Sequence, residues 1–162
     1  MRRPAAAAGS ALFLALAPGI VAGVVPWLLT GWDADADWGV VVRVVGALLV
    51  VAGGIVLVQA FARFVREGAG TPAPVAPTER LVVGGLYRYV RNPMYLAVAA
   101  TIVGQALLLG SVVLLAYAAV FLAVVVAFVR GYEEPTLTRR YGGEYEAYRA
   151  AVPGWWPRLR RR

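Results

Sequence analysis

The chain has 162 residues, 60% of them apolar, and sets 16 basic against 9 acidic side chains for a formal net charge of +7. A mean hydropathy of +0.69 exceeds what a soluble domain of this length can bury, so the chain reads as an all-α, polytopic membrane protein. With no Cys and no His, disulfides, thiolate nucleophiles, imidazole bases and the usual zinc ligands are excluded, no metal site is expected, and any chemistry falls to carboxylates, Tyr, Arg, backbone groups or a bound cofactor.

Every basic residue is Arg, a bias that together with abundant Ala, Val and Gly fits a GC-rich bacterial genome and a bacterial plasma membrane. The positive charge does not point to nucleic acid: no motif supports it, and basic residues crowded at one face of a bilayer have a simpler cause.

Four apolar runs follow one another along the chain. Ala11 to Thr30 and Val40 to Phe61 are each about 20 residues, roughly 30 Å of helix and enough to cross a hydrocarbon core. Pro18 and Pro26 lie within the first run and would kink or loosen it, which a membrane helix tolerates when neighbours satisfy the freed carbonyls. That run is read as a span rather than a cleaved signal peptide, because it is long, holds two prolines and lacks a small-residue cleavage site. A third run, Pro93 to Leu109, is short at roughly 25 Å by helical rise. A fourth fills Val112 to Val129, and only Gly110 and Ser111 separate the two, so a tight hairpin is expected.

The arginines orient these spans. Arg2 and Arg3 precede the first, Arg63 and Arg66 follow the second, Arg80, Arg88 and Arg91 precede the third, and the remainder follow the fourth, whereas the opposite loop carries Asp33, Asp35 and Asp37. Arg43 alone lies on that far side, near enough to those aspartates to snorkel toward them. The positive-inside rule then places both termini in the cytoplasm. The organisation expected is a two-helix anchor over 1–66, a cytoplasmic loop over 67–93, and a membrane hairpin with a C-terminal interfacial helix over 94–162.

Two polar clusters interrupt this anchor. Leu86 to Tyr95 reads LYRYVRNPMY, and Asn92 before Pro93 is a helix-start signal, since Pro at the first helical position needs no donor and Asn can cap the free amides. Arg91 is thereby held at a helix N-terminus that attracts negative charge, a combination suited to a carboxylate or phosphate. An alternative is that Arg88 and Arg91 enforce topology, with Tyr87, Tyr89 and Tyr95 as an aromatic belt. The adjacent Glu133 and Glu134, at the expected end of the fourth span, are costly near an apolar phase unless something cationic meets them. Either a zwitterionic ligand is gripped between Arg91 and these carboxylates, or Arg and Glu pair with each other. In the tail, Tyr141, Tyr145 and Tyr148 recur on one helical face near Leu137 and Val152, with Arg139, Arg140, Glu144, Glu146 and Arg149 on the others. This predicts one amphipathic interfacial helix, weakened near Gly142 and Gly143, followed by an anchor of Trp155, Trp156 and terminal arginines.

In this order, GLYRYVRNPMY at Gly85 to Tyr95, EEPTL at Glu133 to Leu137 and YGGEYEAYRAAVPGWWP at Tyr141 to Pro157 resemble the membrane methyltransferase superfamily of isoprenylcysteine carboxyl methyltransferases and phospholipid or phosphatidylethanolamine methyltransferases. The resemblance covers Leu81 to Leu159, about half the chain. The prenylcysteine branch has Arg, His, Pro where this chain has Arg91, Asn92, Pro93, and the Asn is closer to bacterial phospholipid methyltransferase-like members. The resemblance implies S-adenosylmethionine as methyl donor, bound at the cytoplasmic face, and a lipophilic acceptor entering from the bilayer. It implies Arg91, Asn92 and Glu134 as catalytic candidates. Tyr87, Arg91, Tyr95, Glu133, Glu134, Tyr145, Tyr148 and Arg149 are the cofactor-binding ones, with Arg139 an alternative clamp. Transfer to a carboxylate needs no proton removal, which suits a chain without His and slightly favours O- over N-methylation. The competing expectation is a non-enzymatic scaffold or transporter subunit with a lipid-binding tail. No apolar run contains Asp or Glu, which counts against transport.

Overall fold

In the computed structural model, residues 8–9, 12–13, 16–63, 66–67 and 80–158 are described, and they are helical throughout their regular parts. Five helices follow in order: α1 Leu16–Thr30, α2 Val40–Arg63, α3 Pro93–Leu109, α4 Val112–Tyr141 and α5 Gly143–Ala151, with a short 3₁₀ turn at Gly85–Arg88 before α3. The apolar cores of the four expected spans coincide with α1 to α4. Two of them, α2 and α4, are long and apolar enough to cross a membrane, whereas α1 and α3 are shorter apolar helices. Only 11% of the apolar window of α2 is buried, and Val40, Val41, Leu48 and Val58 lie bare along it. A soluble core helix would hide such residues; a lipid-facing one displays them. The chain is a helical membrane protein.

The chain divides into two compact units. The first to be described comprises 15–57 and 94–125, with Val98, Ile102 and Ala118 at its core and Val21, Leu57 and Phe121 packed around them. Here α2 and α3 approach backbone to backbone: a Cβ built on Gly46 would stand 2.7 Å from the Gly104 carbonyl oxygen, and one on Gly53 would stand 2.8 Å from that of Ala97. Small residues at these positions are what such a close helix pair requires. At the far end of α3 the loop folds back, and the Asp35 amide donates to the Leu109 carbonyl at 2.7 Å, satisfying a helix-terminal acceptor.

The same unit shows how α1 accommodates its proline. Ile20–Val24 is a π turn, closed by the Val25 amide donating to the Ile20 carbonyl, and Pro26 follows immediately. Pro26 has no amide hydrogen to give to either Val21 or Ala22, whose carbonyls are the five- and four-residue acceptors. Both are satisfied from other helices. The Tyr117 hydroxyl donates to the Val21 oxygen and the Gln105 amide to the Ala22 oxygen, each at 2.6 Å. Gln105 also accepts from the Trp32 indole at 3.2 Å. A polar residue in the middle of an apolar helix is thereby used in full.

The second unit comprises 1–14, 58–93 and 126–162. In it the fourth apolar helix does not end where its hydropathy does. It passes through a second π turn, Val129–Glu133, closed by the Glu134 amide donating to the Val129 carbonyl, and runs on as α-helix from Glu134 to Tyr141. Pro135 sits just past that π turn, as Pro26 does past the first, because the wider turn relieves the clash between the ring and the carbonyl four residues earlier. Glu133 and Glu134 are therefore inside a continuous helix rather than at its end. The single amphipathic tail helix is instead divided: Gly142, at φ 54° and ψ −131°, adopts a backbone conformation that side-chain-bearing residues avoid. This leaves Tyr141 on α4 and Tyr145 and Tyr148 on α5.

Candidate active site

Within the second unit, the segment before α3 is laced to the segment after α5 by backbone hydrogen bonds. The Arg91 amide donates to the Pro153 carbonyl at 2.9 Å, the Asn92 amide to Gly154 at 3.3 Å, and in return the Arg158 amide donates to Tyr89 at 3.0 Å. Sequence reasoning places Val152 on the amphipathic helix face and Trp155 and Trp156 in a membrane anchor, and misses this contact. The available signal is that α5 ends at a Pro-Gly pair whose carbonyls need donors from elsewhere.

Arg91 is the hub. Its Nε donates to the Val152 carbonyl at 2.9 Å, and its Nη1 donates to both the Glu134 carboxylate and the Tyr145 hydroxyl, the latter at 3.1 Å. The Arg91 and Glu134 side chains are 14% and 12% exposed, so this is a nearly buried ion pair. The other oxygen of Glu134 meets Arg149 at 3.3 Å, and Arg149 is 54% exposed. One carboxylate is thus shared by a sequestered guanidinium and a solvated one. Arg91 and Glu134 pair directly with each other in the structure.

The electrostatics follow from this packing. Burial works against the Arg91 charge, but the hydrogen bond to Glu134, together with the interactions with Tyr145 and the attraction of Glu134, outweighs it and raises its pKa. The Tyr145 phenol is pushed up by burial, only partly offset by the Arg91 charge, and that of Tyr148 is driven up further, again by burial. All three groups keep their neutral-pH protonation states firmly.

The remaining candidates take distinct places. Buried Asn92 donates its side-chain amide to the Gly154 carbonyl at 3.1 Å, fixing the turn that receives Arg91. Tyr148 donates to the Tyr87 carbonyl at 2.6 Å, and its ring lies 6.3 Å from that of Tyr145. Tyr87, on the 3₁₀ turn, is buried. Glu133, the last residue of the π turn, is half-buried. Tyr95 lies in the first turn of α3 and belongs to the other unit. Arg139 is engaged with the Thr136 hydroxyl at 2.9 Å and stays outside the cluster's hydrogen bonds. Among the described residues no group of carboxylates could hold a metal ion.

A family profile described as phospholipid methyltransferase matches residues 41–144 of the chain. The chain belongs to the phospholipid methyltransferase family. The matched stretch holds Arg91, Asn92, Glu133 and Glu134 and stops just before Tyr145, Tyr148 and Arg149, so the phospholipid methyltransferase match takes in the hub and its carboxylates while α5 beyond Glu144 lies outside it. Comparison with curated proteins and with solved structures gives no match.

Proposed function

We propose that this member of the family transfers a methyl group from S-adenosylmethionine to a lipophilic acceptor at the cytoplasmic face of a bacterial plasma membrane, with all four apolar helices spanning the bilayer and both termini in the cytoplasm. The observation that carries this reading is the shared carboxylate of Glu134, held by one nearly buried and one exposed arginine. Bound S-adenosylmethionine supplies an electrophilic methyl group on a sulfonium, together with an ammonium and a carboxylate. The donor set fits those charges. Glu133 and Glu134 suit the ammonium, and Arg149, the loosest member of the cluster, suits the carboxylate. An exposed ion pair contributes only about 0–1 kcal/mol, so Arg149 can exchange Glu134 for a ligand carboxylate at little cost.

Arg91 then acts as a positioning residue more than as a ligand clamp, because three of its donors are already committed to Val152, Glu134 and Tyr145. Asn92 positions the Gly154 turn. With the hydroxyls of Tyr145 and Tyr148 engaged, the partly exposed ring of Tyr148 is the aromatic surface offered to an adenine or a sulfonium, backed by the buried rings of Tyr145 and Tyr87. Buried Tyr87, Tyr145 and Val152 keep water from this end of the cluster, which favours a reaction in which opposite charges neutralise each other.

Both oxygens of Glu134 are held by guanidinium groups, so removal of a proton from an ammonium acceptor would fall to Glu133. A nucleophile that arrives deprotonated avoids that step, which is why O-methylation of a carboxylate, as in the isoprenylcysteine carboxyl methyltransferases, is favoured slightly over N-methylation of a phospholipid amine. Titration calorimetry of the detergent-purified protein with S-adenosylmethionine tests the reading. Saturable binding is expected, weakened about tenfold by Arg149→Gln with unchanged thermal stability and lost in Glu134→Gln. Wild-type affinity in both variants would overturn it. It would support the second reading, which the internal satisfaction of the Arg91 and Glu134 pair itself favours: a structural strut in a non-enzymatic membrane scaffold.

A further inference from the structure

At the end of α2 the structure has an open hollow of about 610 Å³ that the reading above does not use, lined by Arg63, Arg66 and Arg88 on its polar side and by Val58, Ala62 and Tyr89 among its apolar and aromatic residues. Its volume falls within the range typical of small-molecule sites. The polar side is built from two segments fastened together. Glu67 accepts from Arg63 at 2.6 Å and from the Gly84 amide at 3.0 Å, which ties the helix end to the 3₁₀ turn. Gly85, at φ +58°, lies so close that a Cβ there would stand 2.6 Å from Arg63 Nε, so only glycine lets the turn seat against the arginine.

The charges do not balance. Glu67 engages one of the three arginines, whereas Arg66 and Arg88 form no ion pair or hydrogen bond with another described residue. Two exposed guanidinium groups without a partner among the described residues, set at a membrane interface, attract an anion. Guanidinium groups match phosphate oxygens in shape and charge, and two of them suit a phosphate carrying between one and two negative charges. The opposite wall favours a ligand with an apolar part: Val58 and Ala62 continue the exposed face of α2 on which Val51 and Ile55 lie at helical spacing, and an acyl chain lying on that face would carry its headgroup to the arginines.

We propose that Arg63, Arg66 and Arg88 form a binding site for the phosphate of an anionic membrane lipid, with the first part of its acyl chains against Val58 and Ala62. The site is separate from the Arg91 and Glu134 cluster, and the proposal stands whether or not that cluster binds a methyl donor.

The test is a titration of the full chain in nonionic detergent with short-chain phosphatidate, followed by the rise in thermal midpoint. Short-chain diacylglycerol and inorganic phosphate are run in parallel. Saturable stabilisation by phosphatidate is expected, with none from diacylglycerol or from inorganic phosphate at the same concentration. The Arg66→Gln, Arg88→Gln double variant is expected to keep the wild-type midpoint without ligand, since both side chains are exposed, and to bind phosphatidate at least about tenfold more weakly, with partial recovery when both are replaced by Lys. If the double variant melts early, each single variant is titrated instead. Wild-type affinity in the variants, or equal binding of diacylglycerol, overturns the site. Equal binding of inorganic phosphate overturns the lipid and leaves a soluble phosphate as the ligand.

Discussion

Replacing Glu134 by Gln removes the carboxylate charge from the hub while keeping the shape of the side chain. Arg91 is then left with its charge facing the Val152 carbonyl and the Tyr145 hydroxyl at an exposure of only 14%. Removing one partner of a fully buried pair costs about 3–5 kcal/mol; the remaining acceptors and residual solvent reduce this to about 2–3 kcal/mol here. Arg149, at 54% exposure and 3.3 Å from the same carboxylate, should contribute no more than about 0.5 kcal/mol, so Arg149→Gln is expected to be nearly silent in stability. The assay is reversible unfolding in mixed micelles followed by Trp fluorescence, with Glu134→Gln, Arg149→Gln, Arg91→Met and the Arg91→Met, Glu134→Gln pair in a double-mutant cycle. The coupling between Arg91 and Glu134 should be about 2 kcal/mol. Equal costs for Glu134→Gln and Arg149→Gln, or a coupling below about 0.5 kcal/mol, would refute the claim that sequestration of one guanidinium and not the other sets the hierarchy in this cluster.

Tyr148→Phe deletes the 2.6 Å bond to the Tyr87 carbonyl and should cost about 1 kcal/mol, read in the same unfolding assay. Because burial raises the phenol pKa of Tyr145 and Tyr148 above the ordinary value near 10, the stability they contribute is intact below about pH 10 and is lost as pH rises beyond it. The combined Tyr145→Phe, Tyr148→Phe variant should therefore unfold with a flatter alkaline limb, and it should lose a late-titrating part of the tyrosinate absorbance seen in the wild type. Gln105→Leu strips the donor from the carbonyl that Pro26 leaves open and should cost about 1–2 kcal/mol in spite of the added hydrophobicity. Gly53→Val places its first carbon 2.5 Å from Thr101 Oγ1 and should force α2 and α3 apart, measured as a loss of about 2 kcal/mol or more.

Much of the helical layout was legible because hydropathy is a sum over many residues: α3 occupies Pro93 to Leu109 as expected, and α4 starts at Val112. The end of α4 was not, since Arg130, Gly131 and the two glutamates look like the polar margin of a span, and nothing in their composition announces a π turn that carries the helix through them. At the site, Arg91 and Glu134 stood out by charge in an apolar setting, and the structure brings them together. The further partners of Arg91 at Val152 and Pro153 are main-chain carbonyls, which no side-chain pattern encodes. The same holds for the tyrosines: their spacing predicted a shared face, but whether a hydroxyl meets a ligand or a neighbouring backbone depends on tertiary contacts.

The π turn at Val129–Glu133 also acts as a phase shifter. Each residue of an α-helix advances the side-chain direction by about 100°, so a turn that holds one residue more than the α pattern rotates everything after it by about that angle relative to everything before. Glu134 and the turn that follows it therefore point in a direction that the apolar face of Val126 to Phe128 would not have assigned to them. Shortening the turn by one residue would leave composition, hydropathy and helix content almost untouched and yet swing the carboxylate a quarter-circle away from Arg91. In this chain the length of one helical turn, as much as the identity of any side chain, decides whether opposite charges meet.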